Sequence, residues 1–227
     1  VYPINPKSDE ILGHKAFKSV SEVSNEIDLA VICIPAKFIV PVVKECGEKG
    51  IKALVIITAG FKEVGVEGAR LEKEIIEIAK AHEMRVVGPN CLGIITNGNF
   101  SFANFTPKKG EIAMLSQSGA MMTGLLDWAV EQDIGFSAFI SLGNKSDIDA
   151  IDFIEYLAED EKTRVIAAYI ESITDGDKFF NVISKVTKKK PVILLKSGKS
   201  AQGAKAASSH TGALAGNDTA FDLAFEK

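Results

Sequence analysis

Apolar runs of strand length alternate with segments of helical period along almost the whole chain. Leu29–Ile34 is near-continuous, apolar and β-rich, as a parallel strand covered on both faces requires. Pro35 follows it and opens a helix that runs through Cys46 and closes at Gly47 or Gly50. Ala53–Thr58 predicts the next strand. Glu67–Glu83 predicts an amphipathic helix, with Leu71, Ile75, Ile78 and Ala79 at helical spacing. Arg85–Val87 is a further short strand, broken by Gly88-Pro89-Asn90, and Val1–Ile4 reads as a short strand ending at Asn5-Pro6.

Residues 97–110 (N-G-N-F-S-F-A-N-F-T-P-K-K-G) have no period and many turn formers, so they read as a linker. Beyond them the alternation restarts. Strands are predicted at Glu111–Leu115, Gly135–Ser141, Arg164–Ile170 and Pro191–Leu195. Helices are predicted at Ala120–Glu131, Asp149–Glu159, Asp177–Lys188 and from about Asp218. The Lys188-Lys189-Lys190 run reads as a solvated helix C-terminus favoured by the macrodipole. Strand–helix alternation of this kind implies βαβ units and parallel sheets, here as two doubly wound units, 1–96 and 111–227. The first unit lacks the glycine-rich first βα turn that usually anchors a Rossmann-like sheet, and Phe225-Glu226-Lys227 ends a helix without a cap. A piece of a longer polypeptide is therefore expected, truncated at both ends.

Composition narrows the class. The chain has 227 residues, a net charge of −4 and 46% hydrophobic residues, an ordinary globular composition. It has no basic block of the kind that draws nucleic acid, and no apolar run near the ~18 residues a membrane span needs. Three widely spaced cysteines form neither a disulfide framework nor a metal clip, and no basic, apolar leader opens the chain. The expectation is a cytoplasmic α/β protein without nucleic-acid or membrane partners.

Several loops carry candidate chemistry. Ala204–Gly216 (A-K-A-A-S-S-H-T-G-A-L-A-G) is almost all small residues around His210, a place where backbone and ligand approach closely. An exposed histidine without a role has the same sequence. Leu115-Ser116-Gln117-Ser118-Gly119-Ala120 leaves a strand and opens a helix, so its N–H groups, hydroxyls and helix dipole suit an anion. Plain N-capping by Ser118 reads identically. Glu171 ends an apolar strand at the carboxyl edge, where it can hold one imidazole nitrogen as N–H, or stand as a solvated loop acid. Gly88-Pro89-Asn90-Cys91-Leu92-Gly93 is a rigid turn containing a thiol. Cys91 has no cationic neighbour to activate it and suits a small buried hydrophobe as well. Thr58-Ala59-Gly60 exposes backbone groups after a strand, and Lys7 places a cation after Asn5-Pro6.

Taken together and in order, V-Y-P-I-N-P-K, V-I-C-I-P-A, I-T-A-G-F-K-E-V-G, G-P-N-C-L-G, L-S-Q-S-G-A, S-L-G-N-K-S-D-I-D and S-S-H-T-G-A-L-A-G resemble the nucleoside-diphosphate-forming acyl-CoA synthetases. That family comprises the ADP-forming acetyl-CoA synthetases and the related succinyl-CoA synthetase alpha subunits. The resemblance implies a Rossmann-like CoA-binding domain followed by a flavodoxin-like ligase domain. It implies that acyl-CoA, ADP and phosphate become acid, CoA and ATP through an acyl phosphate and a phosphohistidine. His210 would be the phosphorylated histidine and Glu171 the acid beside it. Ser116, Gln117, Ser118 and Gly119 would cradle phosphate at the amino end of a "power helix". Lys7, Thr58, Ala59 and Gly60 match CoA-contacting positions, and Asn90 and Cys91 match residues near the thiol and acyl group. The acyl-CoA site is expected between the two units. ADP or ATP, with Mg, would bind an ATP-grasp beta subunit or fused domain, in an oligomer. Leu92, where the succinyl branch usually has proline, fits the acetyl branch. Two alternatives carry less. A non-catalytic CoA-sensing module, such as those fused to protein acetyltransferases, needs neither His210 nor Glu171, and an NAD-binding Rossmann protein would show a G-x-G-x-x-G motif.

Overall fold

A computed structural model describes residues 1–103 and 106–197. His210 and the helix expected from about Asp218 lie outside the described residues. The chain begins with a small antiparallel pair, β1 (Glu10–Ile11) and β2 (His14–Lys15), that the hydrophobic pattern did not reveal. Val1–Ile4 forms no strand, only a bridge from Ile4 to Phe17. Pro3 removes one of the N–H donors a ladder there would need, and Pro6 follows close behind.

The first unit follows as β3 (Leu29–Ile32), α1 (Ile39–Glu48), β4 (Ala53–Ile56), α2 (Val66–Ala81) and β5 (Arg85–Val87), a parallel sheet in the order β3-β4-β5. The segment after Pro35 is first a 3-10 turn, Ala36–Phe38, before α1 begins; Pro41 sits in the first helical turn, where its missing N–H has no intrahelical partner to lose. Ile39, Val43 and Cys46 of α1 and Ile75, Ile76 and Ala79 of α2 cover one sheet face, formed by Ile32, Leu54, Ile56 and Val86. The buried stripe of α2 is Gly68, Glu72, Ile75, Ile76 and Ala79, so Leu71 and Ile78 flank it rather than centre it. The opposite sheet face, with Val55, Val87 and Cys91, packs against Ile148 and Phe153 of the second unit.

The second unit has a six-stranded sheet. Its strands are β6 (Gly93–Ile95), β7 (Asn99–Ser101), β8 (Lys109–Ser116), β9 (Phe136–Ser141), β10 (Val165–Ile170) and β11 (Val192–Lys196), in the order β11-β10-β8-β9-β6-β7. Strands β8 to β11 are parallel, whereas β6 runs antiparallel to β9 and β7. Residues 97–110 are thus no plain linker: they include β7 and the start of β8, and β6, read with the first unit, belongs to this sheet. Both strands are only three residues long, too short for a periodic signal.

Helix α3 (Gly119–Glu131) lies on one face, where Met122 and Leu126 meet Met114, Phe139 and Ile95. Helices α4 (Ala150–Glu159) and α5 (Gly176–Val186) cover the other, packing Ile151, Ile154, Leu157, Phe179 and Val182 on Leu115, Ile140, Ile166 and Ile170. Each such fully buried aliphatic side chain contributes about 1.5–3 kcal/mol, so this double layer is what fixes the strand ends. Asp149 caps α4 and forms a capping box with Asp152. The lysine run lies past the end of α5. Lys190 Nζ donates to the carbonyls of Leu157 and Asp160 at 2.8 and 2.5 Å, so it satisfies the end of α4 as well as following its own helix.

Candidate functional site

Strand β8 sends its connection one way, to β9, while its neighbour β10 sends its own the other way, to β11. Ligands of doubly wound folds bind at such a switch point, outside the carboxyl ends of the strands. Ser116 closes β8 there and Glu171 follows β10. Gln117 joins them: its Oε1 accepts from the N–H groups of Glu171 (3.0 Å) and Ser172 (3.3 Å), and its Nε2 donates to Ser172 Oγ at 3.3 Å. Gln117 N–H in turn donates to the Tyr169 carbonyl at 3.0 Å. Glu171 and Ser116 are buried.

Ser118 is the N-cap of α3, its Oγ accepting from Met121 N–H at 3.3 Å. Ser116 Oγ accepts from Ser118 N–H (3.2 Å) and donates to the Ser118 carbonyl (2.8 Å). N-capping is therefore real, and one turn-closing pair shapes the loop. It does not exhaust the helix start, because one cap leaves further N–H groups of the first turn without intrahelical partners.

The G-P-N-C-L-G turn meets this edge. A Cβ added to Gly119 would lie 3.4 Å from Leu92 Cγ, and Leu92 N–H donates to Ser141 Oγ at 2.9 Å. Asn90 has φ of 57° and donates from its backbone N–H to the Thr58 carbonyl at 2.9 Å. Cys91 turns inward instead, its Sγ donating to the Ile56 carbonyl at 3.3 Å among Val55 and Val87. Burial pushes its thiol up to about 12, against a smaller opposite pull from backbone hydrogen bonds. The side chain is thus a core group between the units, although its neighbour Leu92 reaches the start of α3. At mildly alkaline pH, iodoacetamide is expected to alkylate exposed Cys33 while sparing Cys91 and Cys46, the latter also held near 12 by burial. Mass spectrometry of the folded chain checks this; labelling of Cys91 as fast as Cys33 would show the thiol open to solvent.

The remaining sequence candidates are more self-contained. Thr58 Oγ1 donates to the Ile34 carbonyl at 2.7 Å, and Gly60 N–H, at φ of 108°, donates to Glu63 Oε1 at 2.6 Å. Lys7 is exposed, its backbone N–H held by Asn5 Oδ1 at 2.9 Å. Among the described residues no group of three or more His, Cys, Asp or Glu side chains is placed to hold a metal ion.

Sequence reading assigned no role to the S-L-G-N-K-S-D segment between β9 and α4, which supplies much of the contact between the units. Asn144 is buried and bonded to Asn90, Glu63 and Glu72. Lys145 is buried too, pairing with Asp149 at 3.2 Å and donating to the Ser172 carbonyl at 2.6 Å, next to Glu171. Burial draws this ammonium below the usual lysine range, opposed by the charges of Asp149 and, more weakly, Glu171. Glu72 was the available signal: a carboxylate three and four residues before Ile75 and Ile76, on the apolar stripe of α2, needs a buried partner.

Residues 1–97 match the CoA binding domain family, and residues 109–227 match the succinyl-CoA ligase like flavodoxin domain. The alpha subunit of acetate–CoA ligase (ADP-forming) II from Pyrococcus furiosus is 52% identical over 229 residues, covering all of this chain and 50% of that subunit. The chain belongs to the nucleoside-diphosphate-forming acyl-CoA synthetases. Among solved structures, acetyl-coenzyme A synthetase 1 of Ca. Korarchaeum cryptofilum, in complex with phosphate and ADP, superposes with a TM-score of 0.94 at 40% identity, covering 99% of this chain and 49% of that one. The 4-hydroxybutyrate–CoA ligase (ADP-forming) of Nitrosopumilus maritimus is 51% identical over 98% of this chain and 33% of its own length. The chain therefore spans half or less of these acyl-CoA synthetases. A CoA-sensing module finds no support among them.

Proposed function

We propose that this chain is the CoA-binding and phosphoryl-relay part of an ADP-forming acyl-CoA synthetase, with acetyl-CoA the expected substrate. In that reaction a phosphate oxygen attacks the thioester carbonyl, the C–S bond breaks, and CoA leaves as acyl phosphate forms. A ring nitrogen of His210 then attacks phosphorus and the acid departs. The phosphoryl group passes from His210 to the terminal phosphate oxygen of ADP as the P–N bond breaks. ADP and magnesium belong to an ATP-grasp beta subunit or fused domain, in a cytoplasmic oligomer.

The observation that carries this reading is the Gln117 bridge, which holds Glu171 beside the amino end of α3. An acid adjoining a helix N-terminus serves two needs at once. The N–H groups favour the phosphate dianion, and the carboxylate orients an imidazole and offsets its positive charge during transfer. Ser116, Ser118 and Gly119 line the phosphate end. Lys7 and the Thr58–Gly60 turn take CoA, and Asn90 with the Cys91 backbone stands near the thioester.

The test combines the full-length chain with its ATP-grasp part and supplies acetyl-CoA, ADP and phosphate. ATP should appear only when all three are present, and radiolabelled ATP should leave an acid-labile, base-stable label on this chain. Absence of both, with acetyl-CoA and with 4-hydroxybutyryl-CoA, would overturn the assignment.

A further inference from the structure

Every polar atom of Asn144 is bonded, and every bond runs from the second unit into the first. Its backbone N–H donates to the Pro89 carbonyl at 2.8 Å and its carbonyl accepts from Lys62 Nζ at 2.6 Å. Its Nδ2 donates to Glu63 Oε2 and to Glu72 Oε2, both at 2.8 Å, while its Oδ1 accepts from Asn90 Nδ2 at 3.3 Å. Two carboxylates on one side fix the amide orientation, since the reverse would set its oxygen against both. Gly143 makes the approach possible: at φ of 57°, a Cβ there would lie 2.3 Å from the Pro89 carbonyl oxygen.

These partners are not scattered. Asn90 stands in the turn at the thioester end of the cleft. Glu63 Oε1 accepts from the N–H groups of Gly60 (2.6 Å) and Phe61 (3.0 Å) and so shapes the turn that faces CoA. Burial would raise the Glu63 carboxyl, but the Asn144 amide and those two N–H groups hold it below the usual range. The other end of the same loop is pinned at the phosphate edge, where Leu142 N–H donates to the Ser116 carbonyl at 2.8 Å and Ser141 Oγ accepts from Leu92 N–H at 2.9 Å. One short loop thus spans from Ser116, just before α3, to Asn90 and the Gly60 turn.

We infer that Asn144 is a positioning residue for the acyl-CoA half-reaction: it sets the Asn90 and Gly60–Phe61 turns against the amino end of α3, and hence where the thioester meets phosphate. The inference rests on the function proposed above. Asn144 lies on the side of the loop away from Glu171, where Lys145 makes the contact, so the histidine step does not depend on it.

The experiment uses the full-length chain with its ATP-grasp part and the variants Asn144→Ala and Asn144→Asp. Asn144→Ala should raise the KM for the CoA ester about tenfold, while labelling of His210 from ATP stays within about twofold of wild type. Asn144→Asp is isosteric but sets a third carboxylate against Glu63 and Glu72, so it should bind CoA more weakly than the alanine variant; a residue that merely fills space would give the reverse order. If circular dichroism shows the alanine variant unfolded, Asn144→Ser is measured in its place. Equal losses in both half-reactions, or an unchanged KM, would overturn the inference. Calorimetric titration of CoA into wild type and variants gives a readout independent of turnover. Loss of CoA affinity in the variants sustains the positioning role even where wild type neither forms ATP nor takes the acid-labile label, the pair of results that would sink the function itself.

Discussion

Replacing His210 with asparagine should abolish acid-labile labelling of the chain from ATP and cut overall ATP formation by at least about a thousandfold, because the relay then lacks its nucleophile. Acyl phosphate formation need not vanish with it. In the proposed function that step is assigned to the amino end of α3 and the Asn90 turn, neither of which the substitution touches. Glu171→Gln separates orientation from attack. The amide keeps the size of the buried side chain and leaves the backbone N–H on Gln117 Oε1 untouched, so the melting temperature should move little. Its lost charge no longer offsets the imidazolium, and labelling should slow by about a hundredfold. Label that survives acid, or persists in His210→Asn, would remove the histidine from the mechanism.

The second large effect is on stability. Glu72 accepts from Lys62 Nζ at 3.1 Å, Lys62 N–H at 3.3 Å, Asn144 Nδ2 at 2.8 Å and Ser146 Oγ, the last contact short. Glu72→Ala leaves the Lys62 N–H and the Ser146 hydroxyl without this acceptor, and takes from Lys62 and Asn144 one of the two acceptors each has between the units. Breaking a buried pair costs about 3–5 kcal/mol, and the partial exposure of Lys62 places the expected loss near the lower figure. For a chain of this size, about 3 kcal/mol corresponds to a drop of roughly 6–12 °C in Tm. Glu72→Gln keeps one acceptor oxygen and should fall between wild type and alanine. A calorimetric scan in which Glu72→Ala melts with wild type would show the network to be energetically idle.

The strands and helices that sequence reading placed well are those whose packing is periodic. Ala53–Thr58 and Arg164–Ile170 announce themselves because parallel strands between two layers are apolar throughout; Leu29–Ile34 does so too, although β3 is an edge strand that leaves Val31 40% exposed. The short strands β6 and β7 gave no such signal, and their membership of the second sheet depends on pairing with β9, more than forty residues later in the chain. The sequence settings of Ser118 and Glu171 put them beyond strand ends, and there they lie, Ser118 as the N-cap of α3 and Glu171 just after β10. Gln117 was quoted for its backbone setting, but its amide bridge to Glu171 crosses 54 residues and no local pattern encodes it. Asn144 and Lys145 escaped for a similar reason. A polar loop reads as solvated until a second unit is packed over it.

Because β6 and β7 lie in the sheet of the second unit, the seam between the units in space does not coincide with the glycine- and asparagine-rich stretch in sequence. Ser146 N–H donates to the Gly88 carbonyl and Ile148 N–H to the Val86 carbonyl, so the backbone is stitched across that seam as well. A gene-shuffling breakpoint at residues 97–110 would strand β6 on the wrong partner and open an edge beside β9. An exchange that respects the architecture must cross over before Gly88 and carry the G-P-N-C-L-G turn with the ligase half. Such a crossover keeps the G-P-N-C-L-G turn in one coding segment with the start of α3 and with Ser141, the groups its Leu92 meets.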